Sequence, residues 1–266
     1  MTSTANQPTI SLLTDFGVND VFVGVMKGVI AGICPQARVI DITHGVTPFD
    51  VLEAALLLRD AYHYFPPGSI HVAVVDPGVG GQRRIIAAAA RGHIFLAPDN
   101  GILWPILAGD NNARVVTVSN HRYFLPQVSN TFHGRDIFAP VAAHLALGVP
   151  LNLLGPAVRD MHRLRVPEAQ VRPNGTVSGE VLRFDRFGNL ITNIPEGLLP
   201  GKGEKDIYVR VGRRVIRGIA RSYESVKPGE LLAIVGSTGM LEIARNQGNA
   251  RELLRARRGM SVRVGR

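Results

Sequence analysis

Asp76 and Arg83 flank Pro77-Gly78-Val79-Gly80-Gly81-Gln82, a glycine-rich loop that follows the strand-like run Ser69–Asp76. A carboxylate and a guanidinium on opposite limbs of one turn can form a fixed ion pair, and perturbed charge pairs gather at functional sites. The plain alternative is a tight turn capped by Asp76. The loop lacks the Gly-Lys-Ser/Thr ending of a phosphate loop. It leads into another strand at Arg83-Arg84, so it is not a dinucleotide fingerprint either. A second candidate is His133 in Thr131-Phe132-His133-Gly134-Arg135-Asp136, at the start of a helical pattern that Thr131 or Asn130 is expected to cap. A lone histidine is more often structural, but one in a glycine-bearing loop at a helix start is a better candidate for proton chemistry.

Recognition chemistry lies further on. Asn189 ends Phe184-Asp185-Arg186-Phe187-Gly188-Asn189. Asn is common in turns for conformational reasons alone. Its amide also offers the donor and acceptor that an adenine edge requires, and Phe187 is placed to stack on the base. Gly236-Ser237-Thr238-Gly239 is another polar turn, leading into Leu241-Glu242-Ile243-Ala244. The eight His residues are scattered and there is one Cys, so no metal site is expected. A Ser–His–Asp hydrolase is disfavoured because no Gly-x-Ser-x-Gly elbow is present.

These residues must be positioned by two different kinds of structure. In the first half, apolar runs at Ile10–Thr14, Arg38–Thr43, Ser69–Asp76, Ile85–Ala90, His93–Ala97 and Val115–Val118 read as strands. Helical spacing marks Val21–Ile33, Phe49–Tyr64 and Arg135–Leu147. Alternating strands and helices predict a parallel or mixed sheet covered on both faces, with functional residues beyond the strand C-terminal ends. Asp15, Asp41 and Asp76 follow apolar runs in this way, although the strand at Asp41 runs on through Ile42. After Gly148, prolines punctuate a weakly periodic segment, and short β-type runs follow: Val177–Phe184, Leu190–Ile194, Ile207–Val211, Val215–Ile219, Leu231–Val235 and Ser261–Val264. They predict a small antiparallel sandwich or barrel. The expected division is a disordered tail at 1–9, an N-terminal α/β domain at 10–150, a linker at 151–172 and a C-terminal β domain at 173–266.

The 266 residues are 45% hydrophobic and 19% charged, which excludes a disordered chain. No apolar stretch is long enough to span a membrane. The start lacks a secretion signal, and a single Cys34 fits a reducing, cytoplasmic compartment. The net charge of +9 permits nucleic-acid binding, but the C-terminal Arg cluster carries no interleaved aromatics, so a solvated basic face is favoured.

Seven motifs in order carry a resemblance: Leu13-Thr14-Asp15-Phe16-Gly17 with Asp20, Val23–Gly28, Val75–Gly80, Ala97–Gly101, Thr131–Asp136, Asp185–Asn189 and Leu241–Ala244. From Ile10 to Asn249 the sequence resembles the S-adenosyl-L-methionine hydroxide adenosyltransferases, the water-using relatives of the fluorinase and chlorinase. The resemblance implies a Rossmann-like, mostly parallel N-terminal α/β domain and a C-terminal β-barrel. It implies a homotrimer with sites between subunits, no cofactor, and cleavage of S-adenosylmethionine by water to adenosine and L-methionine. The family's catalytic Asp–Arg–His set carries over to Asp76, Arg83 and His133; a one-residue slip would exchange Arg83 for the adjacent Arg84, and Arg83 is preferred. Halogenases have Tyr at the positions of Asp76 and His133, so the chain falls in the hydroxide branch. The ribose-binding Asp matches Asp15, the aromatic wall Phe49, the adenine side Phe187 and Asn189, and the methionine side Asp185 and Ser237. Gly236 stands where relatives often have Asn.

On this reading methionine leaves as a neutral thioether that needs no protonation, and the protein mainly orients and activates water. Asp15 would clamp the ribose 2′ and 3′ hydroxyls. Asp76 would accept a hydrogen bond or proton from water, Arg83 would stabilise developing hydroxide, and His133 would be a second contact or a relay. The rival is a non-catalytic S-adenosylmethionine or adenosine sensor. It would share the binding residues but has no need of a polar set at the reacting carbon.

Overall fold

A computed structural model describes residues 7–200 and 207–266. Residues 1–6 of the expected tail lie outside them, and Thr9 already opens the first strand. The chain divides into two compact units, Met1–Arg165 and Val166–Arg266. The division falls inside the 151–172 segment.

The first unit runs β1 (Thr9–Thr14), α1 (Phe22–Ile33), β2 (Arg38–Thr43), α2 (Val51–Ala61), β3 (Ile70–Val74), β4 (Ile85–Ala90), β5 (His93–Pro98), α3 (Trp104–Leu107), β6 (Arg114–Thr117) and α4 (Ala139–Ala146). Its sheet has the order β2-β1-β3-β5-β4-β6. β1 pairs in parallel with β2 and β3, and β3 with β5, while β4 is antiparallel to both β5 and β6. The sheet is therefore mixed rather than simply parallel. The cause is local: Arg91 and Gly92, both at positive φ, form a two-residue hairpin turn that folds β5 back on β4. α1 and α4 cover one face, with Met26, Ile30, Phe138 and Val141 against Leu12, Val72 and Leu96. α2 and α3 cover the other, with Ala55, Leu58 and Ile106 against Leu13, Ala73 and Phe95. Each such Leu or Ile contributes roughly 1.5–3 kcal/mol of burial. Residues 151–165 also pack here: Leu154 is fully buried and Arg84 bonds Asp160 at 2.8 Å.

α2 starts two residues later than its apolar pattern. Asp50 caps it by accepting from the Glu53 N–H at 2.8 Å, which leaves Phe49 outside the helix at φ +66°. The Arg135–Leu147 pattern begins as a π-helical turn, Gly134–Phe138, before α4. Ser129, not Thr131 or Asn130, supplies the side-chain acceptor there: its Oγ takes the Phe132 N–H at 3.1 Å, and its own N–H and hydroxyl are held by the buried Asp136.

The second unit contains β7 (Gln170–Val171), β8 (Val177–Phe184), β9 (Leu190–Pro195), β10 (Tyr208–Val211), β11 (Arg214–Arg217), β12 (Leu231–Val235), β13 (Met240–Arg245), α5 (Ala250–Leu254) and β14 (Ser261–Gly265). The antiparallel order β11-β10-β14-β8-β9-β13-β12 nearly closes on itself, and a bridge from Ala220 to Ile234 brings its edges together. Strands β7 and β13 and helix α5 were not anticipated, β7 lying in the segment expected as a linker and pairing with β8. No helix among the described residues is long and apolar enough to cross a membrane.

One buried polar group leaves a signature in stability. His71 on β3 is fully buried, hydrogen-bonded to Ser11 at 2.7 Å and to His93 at 3.2 Å, and ringed by Tyr62, Phe65 and Phe95. Burial, reinforced by His93, pushes its imidazole down to about 3, and burial lowers His93 too. The unfolded chain takes up these protons near pH 6.5 while the folded chain does not. Stability is therefore complete above that pH and drains as pH falls toward about 3. Each ring adds a slope of at most ~1.4 kcal/mol per pH unit. Urea unfolding of His71→Asn between pH 6.5 and 4 should show a shallower loss than the parent chain. Parallel slopes would refute the assignment.

Candidate active site

Asp76 lies two residues beyond β3 and Arg83 two residues before β4, so the strands fix both limbs of the loop between them. Arg83 Nε donates to Asp76 Oδ2 at 2.8 Å and to Oδ1 at 3.1 Å, and Nη2 donates to Oδ2 as well. The side chains are 13% and 5% exposed, which makes this a desolvated pair. Backbone bonds from Val79 to Asp76 and from Gly81 to Gly78 close the turn, leaving the Asp76 carboxylate to Arg83 rather than to capping. At Gly80, a Cβ would stand 2.1 Å from the Asn130 carbonyl oxygen, so only glycine lets this loop lie against the segment carrying His133.

His133 completes the set. Arg83 Nη2 lies 2.7 Å from His133 Nδ1. A guanidinium can only donate, so Nδ1 is an acceptor and the ring is neutral. Burial and the Arg83 charge hold His133 below its ordinary value, opposed by Asp76, Asp136 and a backbone hydrogen bond at Ser129. Arg84 points elsewhere: Nε bonds Asp99 at 2.9 Å and Nη1 bonds Asp160 at 2.8 Å. Of the two adjacent arginines, Arg83 is the one in contact with Asp76 and His133.

A cavity of about 300 Å³ opens beside this set, lined by Asp15, Phe49, Asp76, His133 and apolar walls that include Phe16 and Phe132. That is the lower end of the range for small-molecule sites. Asp15 sits just past β1, and its Oδ2 accepts the Phe49 N–H at 2.9 Å. Phe49 itself is 71% exposed. Phe16, Phe22 and Phe132 form a mutual cluster, with ring centroids 5.1 to 6.0 Å apart. Phe16, Phe22 and Phe132 were missed as wall residues, because their convergence from three segments leaves no periodic signal.

In the second unit, Asp185 organises the turn between β8 and β9. Its Oδ1 accepts the N–H groups of Phe187 and Asn189 at 2.9 and 2.8 Å, and its Oδ2 accepts from Asn189 Nδ2 at 2.8 Å. This leaves the Asn189 amide oxygen unused by that turn and Phe187 75% exposed. Ser237 is exposed in the hairpin turn between β12 and β13. Glu242, buried on β13, occupies the space above Gly236: its Oε1 would lie 1.8 Å from a Cβ there, so a side chain at this position requires Glu242 to move aside. Burial and Asp185 raise Glu242 above the ordinary carboxylate range. Among the described residues no group of three or more His, Cys, Asp or Glu is placed to hold a metal ion.

A family model described as SAM hydroxide adenosyltransferase N-terminal domain matches residues 10–155, and its C-terminal-domain counterpart matches residues 179–263. The chain belongs to the SAM hydroxide adenosyltransferase family. A protein of Salinispora tropica named (R)-S-adenosyl-L-methionine hydrolase is 43% identical over 270 residues, covering 98% of each chain. A fluorinase of Actinopolyspora mzabensis is more distant, at 28% identity over 301 residues and 100% of each chain. A crystal structure of an uncharacterized conserved protein from Thermotoga maritima is similar with a TM-score of 0.89 and 40% identity, covering 97% of this chain and 100% of that one.

In this SAM hydroxide adenosyltransferase the His133 ring should report the guanidinium beside it. Replacing Arg83→Met removes a positive charge that depresses the imidazole, so its titration midpoint, followed by ring-proton NMR, should move upward. A midpoint that stays in place would show that Arg83 does not act on His133.

Proposed function

We propose that this protein hydrolyses S-adenosyl-L-methionine to adenosine and L-methionine by attack of water at ribose C5′. The observation that carries this reading is the Asp76–Arg83–His133 set at the wall of a cavity that also exposes Asp15. Arg83 occupies His133 Nδ1 and makes three bonds to Asp76, so of these three side chains the Asp76 carboxylate is the one with an acceptor site left for water. Asp76 would hold the attacking water in line, and Arg83 would keep that carboxylate still and offset charge as hydroxide character develops. In-line placement of two reactants can remove up to ~7–11 kcal/mol of a barrier. Aromatic faces at Phe16, Phe22 and Phe132 suit a sulfonium cation before it becomes a neutral thioether. The reading needs no metal or cofactor. A sensor that only binds the molecule would not need a buried ion pair at the reacting carbon.

The decisive experiment is incubation with the (R) and (S) sulfonium epimers in ¹⁸O-water, followed by mass analysis. The relatives are named for hydrolysis of the (R) form, which makes it the expected substrate. Label should appear in the adenosine 5′-hydroxyl, and its absence with both epimers would end this reading. Asp76→Ala should lower turnover by about 10²-fold or more while calorimetric affinity stays near that of the parent chain. Near-normal turnover would remove Asp76 from the mechanism.

We further propose that the protein is a cytoplasmic homotrimer with crossed sites. Asp15, Phe49, Asp76, Arg83 and His133 would come from one chain, and Asp185, Phe187, Asn189 and Ser237 from its neighbour. The exposure of Phe49 and Phe187 supports a covered interface, and the sheet-plus-barrel plan fits a Rossmann-like domain joined to a β-barrel. Inactive Asp76→Ala and Asn189→Ala chains, mixed under conditions that exchange subunits, should regain activity because some interfaces then hold two intact halves. Demonstrated exchange without recovery would place each site within one chain.

A further inference from the structure

Beneath the Asp15 turn lies a chain of polar groups, buried at Thr14 and His44 and exposed at Asp41 and Lys27, that the reaction itself does not use. His44 is 6% exposed and Thr14 is fully buried. Thr14 Oγ1 and His44 Nδ1 are 2.9 Å apart, and the Phe16 N–H donates to the same Thr14 oxygen at 3.2 Å. A hydroxyl that accepts from a backbone N–H retains its own proton to give. It retains a second lone pair as well, so the Thr14–His44 bond forms with either neutral tautomer, and Nε2 is the ring nitrogen that faces away from Thr14. That nitrogen lies 3.1 Å from Asp41 Oδ1, an ion-pair distance but off the line of a hydrogen bond. Lys27 Nζ holds the other Asp41 oxygen at 2.6 Å. The His44 carbonyl accepts the Gly17 N–H at 2.8 Å, tying the turn down a second time.

Thr14, just before Asp15, is thus tied to the His44 ring, Phe16 just after it is tied to Thr14, and Gly17 is tied to the His44 backbone. The Asp15 carboxylate has its own tie, since Oδ2 takes the Phe49 N–H. That leaves Oδ1 for the cavity. Thr14, with no exposure, cannot act as a nucleophile, so this serine-protease-like row of Asp41, His44 and Thr14 has no reaction of its own to perform.

We propose that His44, bonded to Thr14, is a positioning residue that fixes the Asp15 turn and so sets recognition of the substrate's ribose hydroxyls. This rests on the reading of Asp15 as their acceptor. Small displacements of a binding carboxylate cost hydrogen bonds in the complex while leaving the reacting set intact. The loss should therefore fall on KM and only for substrates that carry the hydroxyls.

The test compares S-adenosylmethionine with its 2′,3′-dideoxy analogue in the parent chain, His44→Ala, Thr14→Val and Thr14→Ser. In His44→Ala and Thr14→Val, KM for S-adenosylmethionine should rise about tenfold, the worth of one charge-assisted hydrogen bond, with kcat little changed. KM for the analogue should stay put. Thr14→Ser keeps the hydroxyl and should behave as the parent. Equal losses on both substrates, an unchanged KM ratio, or failure of both His44→Ala and the near-isosteric Thr14→Val to fold would each assign the network to stability and overturn the proposal. A parent chain that hydrolyses both substrates equally well would instead remove the ribose role of Asp15, and this inference with it. A parent chain that hydrolyses neither would refute the proposed function.

Discussion

A guanidinium carries five N–H donors and no lone pair, and Arg83 uses that asymmetry to hold two different acceptors at once. Asp76 and His133 come from separate segments, and each is aligned by the same planar fork. Breaking a buried pair of this kind typically costs about 3–5 kcal/mol, because the remaining charge is left without a partner. The fold around it serves that alignment. β3 and β4 bring the two limbs of the loop together, Gly80 lets the loop approach the Asn130 backbone, and Asp136 anchors Ser129 just ahead of the histidine. His133 is thereby tethered from both directions before any ligand arrives.

The second unit solves a different problem by related means. Asp185 spends both oxygens on its own turn, much as Asp15 spends one oxygen on the Phe49 backbone. In each case an aspartate beyond a strand first shapes the local backbone and then presents what remains. At Asp185 this means displaying Phe187 and orienting the Asn189 amide. At Asp15 it means leaving one oxygen toward the cavity while Phe49 is held in a left-handed conformation that its side chain disfavours.

Sequence reading worked best where chemistry followed a clear strand. Asp15 and Asp76 stand at the ends of apolar runs, and the seven-residue separation of Asp76 and Arg83 spans a turn with the right reach for an ion pair. It worked less well where three-dimensional context decides. Alternation cannot reveal strand direction, so the hairpin that reverses β4 was not seen. Strand β13 hid because Glu242, a charged residue, occupies a buried place among Leu241, Ile243 and Ala244. Helix α5 is only five residues long, too short for periodicity to register. The expected caps fail because the helical turn at Gly134 starts without a side-chain cap, while Ser129, held by Asp136 seven residues ahead, takes the Phe132 N–H just before it.

Arg83 and Arg84 are consecutive residues on an extended segment, and such neighbours face opposite ways. One meets Asp76 and His133 and the other meets Asp99 and Asp160. β4 is held in register by β5 and β6, so both guanidiniums keep their sides whatever happens between Pro77 and Gln82, and a residue added there would bulge outward rather than exchange them. Such a bulge would disturb the close approach of Gly80 to the Asn130 backbone, so length variation in this loop is restricted by that one contact even though its residues are exposed.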